Sequence, residues 1–171
     1  MSSVEIRGAV IDDLPDLRAV FRRASWANEG DRSLLELHPE FLVLSGVAIR
    51  EGRSRVASVD GRTVGFSSIL ANGDSVELED LFVDPDWMRR GVGRALVADL
   101  VDLARTAGLL RIVVDANEHA LGFYERLGYA AYGPEAVTAQ EALNRPAYEN
   151  SLIDEWLPQV PDIRARLADT D

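Results

Sequence analysis

The chain contains no cysteine, and that absence removes a disulfide framework, a thiolate metal site and a thiol nucleophile at once. Histidine is nearly as scarce: His38 and His119 are the only two, too few to anchor a zinc cluster alongside carboxylates. No G-x-S-x-G turn occurs, so a serine hydrolase built on that elbow has no starting point. No apolar run approaches the roughly 18 residues needed to cross a bilayer, and the first residues, with Glu5, Arg7, Asp12 and Asp13, lack the apolar core of a secretory signal. The expectation is a cytoplasmic protein with no membrane partner and no metal. Positive charge is also in short supply, with a formal net charge of -11 and a pI near 4.6. Phosphate backbones are held by net-basic surfaces, so no nucleic-acid partner is expected. An acidic surface suits a cationic amine, although it also serves solubility alone.

What is present reads as an ordinary globular chain. At 171 residues, with 47% apolar and 27% charged side chains, a single domain over 1–171 is the natural expectation, burying about two-thirds of its unfolded surface. Alternation predicts a strand over 4–9, and Asp12-Asp13-Leu14-Pro15 is a helix start, with an acid at the cap and proline in the first turn. Leu34, Leu37, Phe41 and Leu44 continue the helical period across Pro39, as two short helices or one kinked one. From residue 55 the period becomes two: strands over 56–59, 64–70 and 76–83 are separated by the turns Asp60-Gly61 and Asn72-Gly73. After that the order is helix, strand 111–115, helix 120–127, strand 129–132.

The stretch 76–96, VELEDLFVDPDWMRRGVGRAL, organises the rest. A strand runs into Asp84-Pro85, crosses a basic turn, and enters a helix at Gly91-Val92-Gly93, whose apolar face is Val92, Leu96, Leu100, Leu103 and Ala107 and whose stop is Gly108. The start of a helix carries unpaired N–H groups and about half a positive charge, so a glycine turn that bares them is a seat for an anion. Arg89, Arg90 and Arg94 add charge there. A plainer reading pairs those arginines with Asp84, Asp86 or Asp99 on a wet surface. Two other phosphate motifs fail: a dinucleotide fingerprint needs a small residue where Leu96 stands, and a P-loop needs Lys-Ser/Thr where Arg94-Ala95 stands.

Strand, Asp-Pro and R-R-G-V-G-R-A-L together resemble the acyl-CoA pyrophosphate loop of the GNAT superfamily of N-acetyltransferases, with Met88 where that loop usually has Gln or Arg. A second segment, 117–129, is similar to the family's N-x-x-A-x-x-F-Y-x-x-L-G-Y/F signature at every fixed position: Asn117, Ala120, Phe123, Tyr124, Leu127, Gly128 and Tyr129. The resemblance covers about 4–133 and leaves 134–171 as a C-terminal extension, with a closing strand expected over 145–153 and a last helix near 163–167. It implies an α/β (α+β) fold, a mixed, mostly antiparallel sheet of about six or seven strands flanked by helices.

The same resemblance implies acetyl-CoA as the acyl donor and a small-molecule or protein amine as acceptor, by direct attack in a ternary complex; it is compatible with a homodimer. Donor-binding positions by motif are the backbone of Leu81, Phe82 and Val83, then Arg89, Arg90, Gly91, Val92, Gly93 and Arg94, with Asn117 holding the donor's arm. Tyr124 would protonate the departing thiolate, and a backbone N–H near Leu81 or Phe82 would meet the carbonyl oxygen. Glu77 matches the strand position some members use as a base; Glu79 or an ordered water chain are alternatives, as is a mere wet strand face. His119 falls at a free position of the signature, in a helical first turn. A non-catalytic acyl-CoA-binding domain of the same fold is the competing function, and a structural domain that holds incidental anions is a third.

Overall fold

The computed structural model describes residues 2–109, 111–116, 118–131 and 150–155. The strands are β1 (Glu5–Gly8), β2 (Ser54–Val59), β3 (Arg62–Asn72), β4 (Ser75–Val83), β5 (Arg111–Ala116), β6 (Ala130–Ala131) and β7 (Asn150–Glu155). The helices are α1 (Leu14–Ala27), α2 (Arg32–Leu37), α3 (Val47–Arg50), α4 (Val92–Ala107) and α5 (Glu118–Arg126). Strand order in the sheet is β1-β2-β3-β4-β5-β7-β6. The expected mixed, mostly antiparallel sheet is present: β4 and β5 pair in parallel, while β1–β2, β2–β3, β5–β7 and β6–β7 pair antiparallel.

Contacts divide the chain into two compact units, Met1–Ile69 with Asp80–Leu100, and Leu70–Glu79 with Val101–Asp171. In the first, α1 begins one residue after a 3-10 turn over Ile11–Asp13. Asp13 occupies the cap position but makes no side-chain cap bond. Its carboxylate instead accepts from the Val10 N–H and from both terminal nitrogens of Arg7, at 2.8 Å each. The Arg7 hydrogen bonds hold that carboxyl below its usual range. Past α1 the helical period is broken up, as Pro39 requires: α2 stops at Leu37 and Pro39–Leu42 form a 3-10 turn.

The β2–β3 hairpin turns through Asp60 and Gly61, both at positive φ (49° and 77°), the geometry a two-residue connection demands. One apolar cluster joins Leu14, Leu17 and Val20 of α1 to Ile49, Val56 and Phe66, with Phe21 and Phe82 against it. Another joins Val92 and Leu96 of α4 to Ala57, Val59 and Val64, with Leu81, Val83 and Trp87 against it. Each fully buried Val or Leu stabilises the fold by about 1.5–3 kcal/mol, and Val92 and Leu96 fix the first turns of α4 in this cluster.

In the second unit, the parallel ladder runs from Ser75↔Arg111 to Leu78↔Val114, and Arg111 also reaches the Asp74 carboxylate at 2.8 Å. The expected closing strand is β7, shifted toward the C-terminus: it lies between β5 and β6, pairing Val113 with Ile153 and Ala130 with Ile153. The earlier part of that expected strand and the helix near 163–167 lie outside the described residues. Among the described residues, no helix is long and apolar enough to cross a membrane.

Candidate acyl-donor site

The approach to α4 is built by Asp84. Its side chain accepts from the Asp86 N–H at 3.0 Å and its carbonyl from the Trp87 N–H at 2.8 Å, which caps a 3-10 turn over Pro85–Trp87. Its own N–H donates to the Val64 carbonyl at 2.8 Å, fastening the turn to β3. Arg23 of α1 then spans Asp84 and Asp86, at 3.3 and 2.8 Å. Trp87 packs inward, and the Arg90 guanidinium lies over its ring, 5.0 Å from the centroid. Met88, which stands where the family's polar residue is expected, is exposed.

From there the backbone alternates: Arg89 has φ 62°, Arg90 is not at positive φ, and Gly91 has φ 83°. Alternation of this kind aims successive N–H groups to one side as an anion-binding concavity. The first intrahelical bond of α4 runs from the Ala95 N–H to the Gly91 carbonyl at 2.9 Å. Val92, Gly93 and Arg94 come before it, so their N–H groups have no intrahelical acceptor. Gly91, at the cap, has no side chain to supply one, and the space beside its Cα is open. Val92 meanwhile buries its side chain in the core, which fixes the direction in which those amides point.

The plainer reading of the turn's arginines fails. Asp84 is taken by Arg23 and, at 3.9 Å, by Arg62; Asp86 is taken by Arg23; Asp99 is held by two Arg55 nitrogens at 2.8 and 2.9 Å. Among the described residues, Arg89, Arg90 and Arg94 form no ion pair. Three positive charges without a carboxylate partner, in the same turn as bare amides, suit a diphosphate. No group of three or more His, Cys, Asp or Glu that could hold a metal is found among the described residues.

Sequence reasoning missed Gly65. A Cβ there would lie 2.9 Å from the Phe82 carbonyl oxygen, 3.0 Å from Val92 Cγ1 and 3.3 Å from Leu96 Cδ1. Only the absence of a side chain on β3 lets α4 settle against the end of β4. A glycine inside a strand pattern is the signal that could have found it.

In the second unit, Tyr124 is 5% exposed and packs edge to face on Phe123 and Tyr129, with centroids 5.0 and 5.7 Å away. Its carbonyl accepts from the N–H groups of Leu127 (3.0 Å) and Tyr129 (3.1 Å), while Gly128, at φ 96°, donates to the Glu125 carbonyl at 3.0 Å. This is a glycine-ended helix stop of the Schellman type. The Leu-Gly-Tyr part of the signature is thereby explained: it folds Tyr129 back onto Tyr124. Burial pushes the Tyr124 phenol above its ordinary range. Glu77 lies within the ladder opposite Val113, half-buried, and Glu79 is exposed. Leu81, Phe82 and Val83 end β4, beyond the ladder's last pair at Leu78. His119 is in the first turn of α5. Asn117 lies outside the described residues.

The model of the acetyltransferase (GNAT) family matches residues 12–129. The chain is 37% identical over 79 residues to a glucosamine 6-phosphate N-acetyltransferase of Trypanosoma brucei brucei, covering 42% of this chain and 54% of that protein. It is 33% identical over 75 residues to a [ribosomal protein bS18]-alanine N-acetyltransferase of Salmonella typhimurium, covering 42% and 51%. These alignments span only about half the length of those relatives. Among solved structures, a PaiA N-acetyltransferase of Thermoplasma acidophilum in complex with coenzyme A superposes with a TM-score of 0.68 at 18% identity, covering 90% of this chain and 99% of that one, a likeness of fold. With the family model spanning both the glycine-led helix and the Tyr124 signature, the chain belongs to the acetyltransferase (GNAT) family.

Proposed function

We propose that the protein is an acetyl-CoA-dependent N-acetyltransferase that moves the acetyl group to an amine by direct attack, in the cytoplasm. The observation that carries this reading is the start of α4: three amides without intrahelical acceptors, in a stretch whose three arginines, Arg89, Arg90 and Arg94, no carboxylate neutralises among the described residues. The N–H groups of Val92, Gly93 and Arg94 would hold the donor's diphosphate, with Arg89, Arg90 and Arg94 adding charge. The backbone of Leu81, Phe82 and Val83, past the end of the parallel ladder, would pair with the donor's amide arm as an added strand does, with Asn117 as a further contact.

The bond formed is from nitrogen to the acetyl carbon and the bond broken is from that carbon to sulfur. Tyr124 would give the leaving thiolate its proton. A phenol whose burial raises its pKa keeps its proton across the neutral range, as a donor must. Glu77, at the position the family resemblance marks, would take a proton from the acceptor, with Glu79 or an ordered water chain as the alternatives. The two named relatives take amines of different chemistry, a sugar amine and a protein alanine, so the acceptor class here is open to both.

The test is thiol release from acetyl-CoA over a panel holding glucosamine 6-phosphate, spermidine and an alanine-led peptide. Turnover with at least one is expected, and Tyr124→Phe should lower kcat about 10²-fold or more with donor affinity nearly unchanged. Tight donor binding without turnover on a broad amine panel would mark a binding domain instead. Wild-type turnover in Tyr124→Phe would remove that residue from the mechanism.

A further inference from the structure

We infer that Arg23 of α1 is a positioning residue for the donor seat: it neutralises the two acids that lead into the turn, and so sets acetyl-CoA affinity from outside the seat. This rests on the acetyl-transfer reading above. Asp84 and Asp86 stand shortly before the bare amides of α4, and two negative charges there oppose the approach of a diphosphate. One nitrogen answers both. Arg23 Nη2 lies 2.8 Å from Asp86 Oδ2 and 3.3 Å from Asp84 Oδ1.

The two carboxylates are not alike. The Asp86 side chain is 68% exposed, and an ion pair surrounded by water contributes little. The Asp84 side chain is only 5% exposed. A buried carboxylate that loses its cation is left with an uncompensated charge. The contacts that would remain to Asp84 are the Asp86 N–H at 3.0 Å and Arg62 at 3.9 Å, the second at the outer limit of an ion pair. Because the Asp84 side chain and carbonyl cap the turn over Pro85–Trp87, a displaced carboxylate displaces the backbone that leads to Gly91.

The helix that carries Arg23 has its own anchor. Leu14, Leu17 and Val20 pack with Ile49, Val56 and Phe66, and Phe21 meets Phe82 edge to face at 4.9 Å. α1 therefore touches two parts of the donor site named above: the end of β4 through Phe21, and the entry to α4 through Arg23. All of these residues belong to one compact unit. With the apolar anchor in place, removing the Arg23 charge leaves α1 seated, and the effect falls on the turn.

The experiment titrates acetyl-CoA into the wild type, Arg23→Gln, Arg23→Lys and the double variant Arg23→Gln/Asp86→Asn. The Tm of each free protein is measured alongside, with kcat and the donor KM on the acceptor found by the panel. Arg23→Gln should weaken acetyl-CoA binding about 5-fold and raise the donor KM in step, with kcat within about twofold. Arg23→Lys keeps a charge on a single nitrogen, which is all that the bridge uses, and should restore most of the affinity. In the double variant one carboxylate is lost with the arginine, so binding should recover about half of the deficit. Wild-type affinity in Arg23→Gln would overturn the inference. So would a loss confined to kcat, or a deficit that follows Tm and that neither the lysine nor the second substitution relieves, because a purely structural role is blind to charge. If the wild type does not bind acetyl-CoA, the acetyl-transfer reading falls and this inference with it; the wild-type titration thus separates the two failures.

Discussion

Arg89 is one of only two non-glycine positive-φ residues among those described. A side chain in the left-handed region costs about 1–2 kcal/mol, so a glycine would be the relaxed choice. Arginine at this point trades backbone comfort for a charge beside bare amides. Two effects of opposite sign follow. Arg89→Gly should leave Tm unchanged or raise it, with a gain of up to about 1 kcal/mol after glycine's own entropy is counted, and should weaken acetyl-CoA binding several-fold. Thermal melts and a donor titration on the same sample check both halves, and a variant that loses stability would show that the arginine's charge steadies the turn instead. The helix stop around Tyr124 was legible at this scale because the signature that forms it is complete. The Ser68–Asp80 hydrogen bond was not, because no local pattern announces the register of β3 against β4.

Elements were legible where their ends carry chemistry. Asp60-Gly61 and Gly73 mark hairpin turns, Gly108 stops α4, and Gly128 stops α5, each with the positive φ that local sequence led one to expect. Gly108 and Gly128 even use the same device, with Leu109 and Tyr129 donating back five residues to Ala104 and Tyr124. The helix after residue 28 was harder to read, because Pro39 divides a continuous apolar period whose pieces are then set by packing. Long-range ties were invisible: Arg23 reaches Asp86 across 63 positions, and nothing near either residue records it. Gly65 belongs to the same group. A methyl there must displace the Phe82 carbonyl or the first turn of α4, so Gly65→Ala should destabilise the fold by about 1–3 kcal/mol and weaken donor binding more than any acceptor-side change. A urea melt with and without acetyl-CoA reads both.

For the whole chain, charge and composition carry a consequence for the chemistry. All 18 basic residues other than histidine are arginine, and lysine is absent altogether. Guanidinium does not deprotonate at working pH, so the protein offers its donor no side-chain amine, just as it offers no thiol. Incubation with acetyl-CoA alone should therefore give a flat thiol signal, without a burst of one equivalent per chain; a burst would reveal a nucleophile that neither reading includes. At this scale family and fold were legible from two motifs 26 residues apart, Gly91 and Asn117 at their heads. The acceptor was not, because no motif names it, and 134–149 and 156–171 lie outside the described residues.

The crowded backbone beside Gly65 has one practical outcome. A valine placed there would press on the Phe82 carbonyl and tilt the helix whose first amides are proposed to meet the diphosphate. That makes position 65 a purely steric lever on the helix start, a comparison for any loss seen at Arg89 or Tyr124.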